Sequence, residues 1–408
     1  MKKSSCISLW VFIFVFNLNL YTQNEDIIRV DTLIKEVISK NPEILAAKKE
    51  YEFYKNKISQ SYYPSDPQIG FENMYSGDEN NFIIRQNLEF PTKLYTKKKI
   101  SENESQIYWW KYLSVKNEVI YKLYETYINY YFTFVYEKIY KENLDLMKSF
   151  SKIIEIKNSV NQAKQSDVLK THIELLKIDN EITILNQERE IYKAKLNFLL
   201  NRDLNLNLGI PAELEFREEN LSYEDLKNKI EKNNPDLNIS LLKILIAEKN
   251  IILSKQQQNL PDIMFLYRKR YSNNISMDNT YDFSIAFSLP LWFKKQKDNI
   301  IASKIGKEMF LDKYQSDKNK ILFSLKEAFI KIQTYKKFID LYKTTFIPHA
   351  ESIVMLSIRE FESNNGSFID VLEAYRSLID IKKEYYLYLM NYFILNAEIK
   401  RIMGEENE

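Results

Sequence analysis

Apolar and polar positions alternate in twos at four places along this chain, and elsewhere the apolar positions recur in threes and fours. Tyr281, Phe283, Ile285, Phe287 and Leu289 share one parity, and Asp282, Ser284, Ala286 and Ser288 the other. That is the period of a β-strand with unlike faces. The same pattern sets Phe82, Ile84, Leu88 and Phe90 against Arg85, Asn87 and Glu89, with Gln86 out of step. It sets Ile263, Phe265, Tyr267 and Tyr271 against Arg268 and Arg270, and, more faintly, Ile69, Phe71 and Tyr75 against Gln68, Gly70 and Glu72. Coiled-coil spacing, alternating steps of three and four, links Ile120, Leu123, Tyr127, Tyr130 and Phe134, and then Leu175, Ile178, Ile182 and Leu185. Ile381, Tyr385, Tyr388, Tyr392, Leu395, Ile399 and Ile402 repeat it near the end.

The two kinds of pattern occur in one order, twice. Asn41-Pro42-Glu43 returns as Asn234-Pro235-Asp236, and Phe90-Pro91 as Leu289-Pro290. Ser166-Asp167-Val168-Leu169 returns in Ser367-Phe368-Ile369-Asp370-Val371-Leu372, with Asp167 and Asp370 203 residues apart. Internal repetition of this kind fixes the plan. The first copy spans 24–200, with a helix, a hairpin at 67–90, a long helix at 94–158 and a helix at 167–200. The second spans 222–404, with a helix, a hairpin at 261–290, a long helix at 295–345 and a helix at 368–403. Residues 201–221 link them. The stretch 94–158 lacks proline and glycine, and as one helix would measure on the order of 95 Å. Helical hairpins turning near 161–166 and 363–367 follow, with the Asp-Val-Leu marks at the end opposite the strands.

Composition narrows the setting. Only 6 glycines and 9 prolines among 408 residues leave few turns and therefore long elements. Lys2 and Lys3 precede an apolar stretch from Ile7 to Phe16, and Asn17, Asn19 and Thr22 restore polarity. This predicts a secretory signal peptide at 1–23, too short to span a bilayer as an ordinary helix. Cys6, the single cysteine, falls inside it, so disulfides and thiolate metal sites are excluded from the mature chain. No later run of 18 apolar residues predicts a helical span. A net charge of +2 without a basic block gives nucleic acid nothing to bind.

An exported chain with strands about ten residues long, apolar on one side only, fits an outer-membrane β-barrel. Tyr62, Tyr63, Trp292 and Phe293 at one end, and Tyr75, Phe82, Tyr271 and Tyr281 at the other, would supply interfacial aromatic girdles. Each hairpin taken alone also fits a soluble hairpin packed on a helical core. Four strands cannot close a barrel, and an open edge in lipid costs several kcal/mol per unpaired group. If these strands span a membrane, several chains must pool them. Two chains give eight strands and a filled interior; three give twelve and a pore.

Over nearly the whole mature chain the doubled plan resembles the TolC-like outer-membrane factor family. The marks that carry the resemblance are Asn41-Pro42-Glu43, Asn87-Leu88-Glu89-Phe90-Pro91 and Asn365-Gly366-Ser367-Phe368-Ile369-Asp370-Val371-Leu372-Glu373-Ala374. The first copy has Gln165 and no glycine before its Asp-Val-Leu mark, which leaves its turn free to differ. The resemblance implies mixed α and transmembrane β structure: a homotrimer whose 12-stranded outer-membrane barrel, four strands per chain, continues into a long periplasmic α-helical barrel. It further implies a periplasmic adaptor (membrane fusion) protein at the helical tips and an inner-membrane pump of the proton-driven resistance-nodulation-division type. The compact length and short first hairpin loop are most similar to the branch serving cation-efflux pumps.

The candidate residues fall at the two ends. At the tip are Ser166, Asp167, Val168, Leu169, Gly366, Ser367, Asp370, Val371 and Leu372. Asp167 and Asp370 read either as first-turn helix carboxylates, worth about 1 kcal/mol each, or as an acidic ring gating the periplasmic aperture. Val168, Leu169, Val371 and Leu372 would meet the adaptor. In the barrel lumen Arg85, Glu89, Arg268 and Arg270 would tune selectivity or keep the pore wet. No catalytic constellation, cofactor cradle or metal-ligand spacing is present, and His172 and His349 read as helix-surface residues. The expected activity is passive export from periplasm to exterior, of metal cations or drugs. The rivals are a type I protein-secretion duct of the same architecture and a soluble periplasmic coiled-coil scaffold or adaptor.

Overall fold

The computed structural model describes residues 27–73, 79–217, 222–272 and 280–404. The expected signal peptide, Cys6, Tyr75 and most of both hairpin loops lie outside the described residues. The elements run α1 (Val30–Lys40), α2 (Pro42–Gln60), β1 (Gln68–Asn73), β2 (Glu79–Leu88), α3 (Pro91–Ser159), α4 (Gln165–Leu199), α5 (Tyr223–Asn233), α6 (Pro235–Asn259), β3 (Asp262–Ser272), β4 (Thr280–Ser288), α7 (Phe293–Leu341), a π-helical turn (Tyr342–Phe346), α8 (Ile347–Glu362) and α9 (Phe368–Met403). With 69 residues, α3 is about 100 Å long at 1.5 Å per residue. No described helix is long and apolar enough to cross a membrane.

Each Asn-Pro mark is a joint between helices. Asn41 caps α2, its side-chain oxygen accepting from the N–H groups of Glu43 and Ile44. Its amide nitrogen donates to the Leu199 carbonyl at 2.8 Å, at the end of α4. Asn234 likewise caps α6 and donates to the Ile402 carbonyl at 2.8 Å, at the end of α9. Proline at the first helical position costs nothing, since that N–H has no partner within the helix. One buried asparagine therefore satisfies orphan groups of two helices and stacks α2 end to end on α4, and α6 on α9.

The two tip turns are the same turn, despite the missing glycine in the first copy. Asn161 and Asn364 both adopt left-handed φ, 61° and 62°. The N–H groups of Gln162 and Ala163 return to the Lys157 carbonyl, as those of Asn365 and Gly366 return to that of Glu360. Ala163 occupies the glycine position, so a Cβ is compatible with this turn. The copies differ in the next residue: Ser367 caps α9, whereas Lys164 makes no side-chain cap on α4. The second long helix also differs from its expected limit at 345. The π turn carries the backbone past that point into α8, seating Pro348 in the first turn of α8, where its missing N–H is tolerated.

The four strands form one antiparallel sheet in chain order. The two copies meet where β2 pairs with β3, and β1 and β4 are its free edges. Directly paired residues share a face, so the register brings Gln68, Gly70 and Glu72 together with Asn81, Ile83, Arg85 and Asn87. Met264, Leu266, Arg268 and Arg270 join the same face through β3, and Asp282, Ser284 and Ala286 through β4. The opposite face carries Ile69, Phe71, Phe82, Ile84, Phe265, Tyr267, Phe283, Ile285 and Phe287. Gln86 falls there too, at the inner end, and donates to the Ser65 carbonyl at 2.6 Å.

The helices bury apolar residues in three successive clusters. One surrounds Leu33, Ile44, Leu123, Leu196 and Leu200 beside α1; one surrounds Phe132, Ile230, Leu325 and Tyr392; one, toward the tip, surrounds Phe150, Val371 and Tyr375. The segment before α5 is strapped down by phenol groups: Tyr130 donates to the Gly209 carbonyl at 3.2 Å and Tyr392 to that of Arg217 at 3.0 Å.

Candidate functional site

The sheet is exposed on the wrong side for a soluble protein. Phe71 and Phe283 on its apolar face are 82% and 77% exposed, whereas Asn81 and Ile83 on the polar face are 2% and 5% exposed. Soluble domains rarely leave a contiguous apolar area of this kind uncovered. In lipid the same face is the satisfied one.

The register brings Arg85, Arg268 and Arg270 to one face. Arg270 pairs with Asp282 at 2.5 Å, diagonally across the strand pair. Arg85 and Arg268 have no ion-pair partner among the described residues, and the Nε of each is buried without a hydrogen bond. Glu89 follows β2 and pairs with Lys97 at 2.6 Å. Two basic residues near these elements were illegible in the pattern. Lys93, buried, donates to the Leu260 carbonyl and to Asp262 Oδ1, each at 2.8 Å, and ties the first turn of α3 to the start of β3. Lys269 falls on the apolar face toward its outer end, over the Tyr271 ring at 4.9 Å. A lysine there can reach the interface with its ammonium while its stem stays apolar.

At the tip, Asp370 belongs to a capping box: its carboxylate accepts from the Ser367 N–H at 3.2 Å and the Ser367 hydroxyl accepts from the Asp370 N–H at 3.2 Å. Asp167, in the first turn of α4, lies 3.8 Å from Lys170, and the Ser166 hydroxyl is 3.5 Å from it. Val168, Val371 and Leu372 are buried in the tip cluster within the chain. Of the four residues expected to meet an adaptor, only Leu169 turns its side chain outward; Ile369 does so in the second copy. At Gly366 a Cβ would stand 3.0 Å from Glu360 Cβ and 3.0 Å from the Phe361 nitrogen, a close approach that a small shift relieves, as the equivalent turn does around Ala163.

The hairpins are locked together by groups that the pattern did not single out. Lys157, at the end of α3, donates to the Phe361 carbonyl at 2.7 Å, the Glu362 carbonyl at 3.1 Å and Asn364 Oδ1 at 2.5 Å. It thereby satisfies the carboxyl end of α8 in the other hairpin. Arg376 on α9 pairs with Glu174 on α4. Burial alone would raise the Glu174 pKa, but hydrogen bonds from Arg376 and Lys177 outweigh it and hold the carboxyl below its usual range. The link is therefore intact at neutral pH and lost only as pH falls through that lowered value. His172 lies 3.2 Å from Glu155 across the first hairpin. Among the described residues no group of three or more His, Cys, Asp or Glu could hold a metal ion.

No family model matches the sequence, and no characterised protein matches it by sequence. Solved structures do match. The outer-membrane channel OprN superposes with a TM-score of 0.81 at 13% identity, over 92% of this chain and 89% of that one. The fold is that of the TolC-like outer-membrane factors. Two further outer-membrane proteins are similar to it. The outer membrane protein VceC of Vibrio cholerae has a TM-score of 0.79 at 12% identity over 93% of this chain and 97% of that one. The Campylobacter jejuni CmeC outer membrane channel has 0.78 at 15% identity over 93% and 87%. So little identity across so much of each chain means that what is shared is the fold.

Proposed function

We propose that this chain is the outer-membrane subunit of a tripartite efflux pump, a passive duct leading from the periplasm to the exterior. The observation that carries the reading is the inverted sheet, apolar outside and polar inside, with β1 and β4 unpaired at its edges. In lipid both edges need partners. Three chains pairing β4 of one with β1 of the next close a twelve-stranded barrel, and α2 with α4, α6 with α9, and the unbroken α3 and α7–α8 continue its wall into the periplasm. The duct holds no chemistry of its own. Energy comes from an inner-membrane pump of the resistance-nodulation-division type, joined through a periplasmic adaptor at the tips. Leu169 and Ile369 are the apolar side chains offered to that adaptor, and the Lys157 and Glu174–Arg376 links between hairpins are what opening must break.

The deciding experiment is the native mass of the protein extracted from the outer-membrane fraction in mild detergent. A detergent-dependent trimer is expected. Release by salt alone, as a monomer or dimer, would overturn the duct and favour a soluble coiled-coil scaffold.

A further inference from the structure

We infer that the collar where the sheet meets the helices binds anionic phospholipid, the net-negative headgroups of the leaflet facing the periplasm; this rests on the channel reading. The apolar parity of β4 continues past Phe287 into exposed Leu289 and Leu291, and exposed Trp292 and Phe293 follow. Tyr62 and Tyr63, also exposed, lie at the same end, ahead of β1. Rings at this level suit the boundary between hydrocarbon and headgroups.

The charges within reach of that boundary are one-sided. Two helical turns, about 11 Å, roughly match a Debye length. Within two turns of the strands' inner ends lie residues 54–67, 89–98, 253–262 and 289–300, which hold nine lysines and four acids. The next charges along α3, Lys99 and Glu102, pair at 2.8 Å and cancel. Asp262 is held by Lys93 and Glu89 by Lys97. Asp66 and Asp298 then face seven lysines, an excess of five positive charges per chain. Lys295 lines an open cavity of about 380 Å³ beside the polar-face residues Asp262 and Ser288, so it belongs to the inner side. Without it the excess is still four. Lys294 and Lys297 are exposed, follow Trp292 and Phe293 directly, and have no ion pair among the described residues. Lys57, exposed too, lies over the Phe53 ring at 4.7 Å, and Lys98 over the Tyr62 ring at 5.2 Å. The occupant follows from continuity and sign. The collar is the rim of the face that meets hydrocarbon, and basic clusters at such a rim draw anionic lipid. Zwitterionic headgroups carry their own cation beside the phosphate and gain little from these ammonium groups.

The test reconstitutes the purified oligomer in nanodiscs of phosphatidylglycerol and phosphatidylcholine in equal amounts. The lipids still bound after transfer to mild detergent are then counted by mass spectrometry. The wild type is expected to retain phosphatidylglycerol over phosphatidylcholine by a factor on the order of three at low salt. The factor is expected to fall toward one at about 1 M salt, where the Debye length is about 3 Å. Lys57→Gln, Lys294→Gln and Lys297→Gln combined are expected to bring it close to one at low salt, and arginine at the same three positions to restore it. An unselective wild type, or a glutamine variant with undiminished selectivity, would overturn the lipid collar and leave the channel standing. A glutamine variant that no longer forms the oligomer in detergent would place these lysines between copies, and overturns the collar as well. A wild type that enters neither lipid would overturn the channel reading itself.

Discussion

A single asparagine at each repeat boundary does the work of two helix caps. Asn41 and Asn234 are buried, and each joins its own helix start to a carbonyl that ends a helix 158 or 168 residues away. Asn234→Ala removes the cap on α6, about 1–2 kcal/mol, and strands the Ile402 carbonyl, about 1–3 kcal/mol more. Ser367→Ala removes only an exposed cap, about 1 kcal/mol. Thermal melts in detergent are expected to show a several-fold larger fall in Tm for Asn234→Ala than for Ser367→Ala. The repetition of Asn-Pro was plain in the sequence, because identical triplets need no structure to be seen. Its reason was not, because a contact across so many residues has no local signature. Lys157 and Lys93 were hidden for a related cause: in a chain with 58 lysines and arginines, a lysine that satisfies distant carbonyls looks like any other. At the tip the sequence could not separate Val371 and Leu372, in the core, from Leu169 and Ile369, turned outward. Apolar residues in the first turns of neighbouring helices differ only in which side their helix is packed on.

At the scale of elements the strands were the most legible part, because a period of two leaves each residue only one of two faces. The register agrees with the division for the polar and aromatic positions described, though Ile83, Met264 and Leu266 fall on the polar face; of the polar residues on the apolar face, Gln86 bonds to a loop carbonyl at the strand's inner end and Lys269 lies toward its outer end beside Tyr271. The long helices were equally plain from the scarcity of glycine and proline. The π turn was not, since nothing in Tyr342–Phe346 marks a widened turn except Pro348 two residues beyond it. The two faces of β4 make opposite predictions for the same charge. Phe283→Lys puts an ammonium on the apolar face in mid-strand, at roughly 2–4 kcal/mol if that face meets lipid at the midplane. Ser284→Lys puts it on the polar face, in water. Heat-modifiable oligomer bands from outer-membrane fractions are expected to vanish for Phe283→Lys and persist for Ser284→Lys. Equal assembly of the two would mean that the apolar face does not meet lipid.

At the scale of the whole molecule the chain is half of an argument that other copies must complete. On the proposed channel reading, four strands with two open edges and an exposed apolar face are expected to need partner copies, since open edges in lipid leave backbone groups unpaired. Arithmetic on strand number was available from the sequence alone, but which edge meets which was not, since that depends on strand order, which the sheet supplies as β1-β2-β3-β4. Within one chain β1 and β4 are three strand spacings apart, roughly 14 Å, too far for a disulfide. Across a closed barrel they are neighbours. Gly70 accepts a side chain freely, since a Cβ there meets nothing within 4 Å. With Cys6 replaced by serine, Gly70→Cys can be combined in turn with Asp282→Cys, Ser284→Cys and Ala286→Cys, all on the same face. One of the three registers is expected to give disulfide-linked dimers and trimers on non-reducing gels, with nothing larger, because a ring of three has no free end. A ladder that continues beyond trimers would mean an open filament of sheets, and monomers in all three registers would mean that these edges never meet.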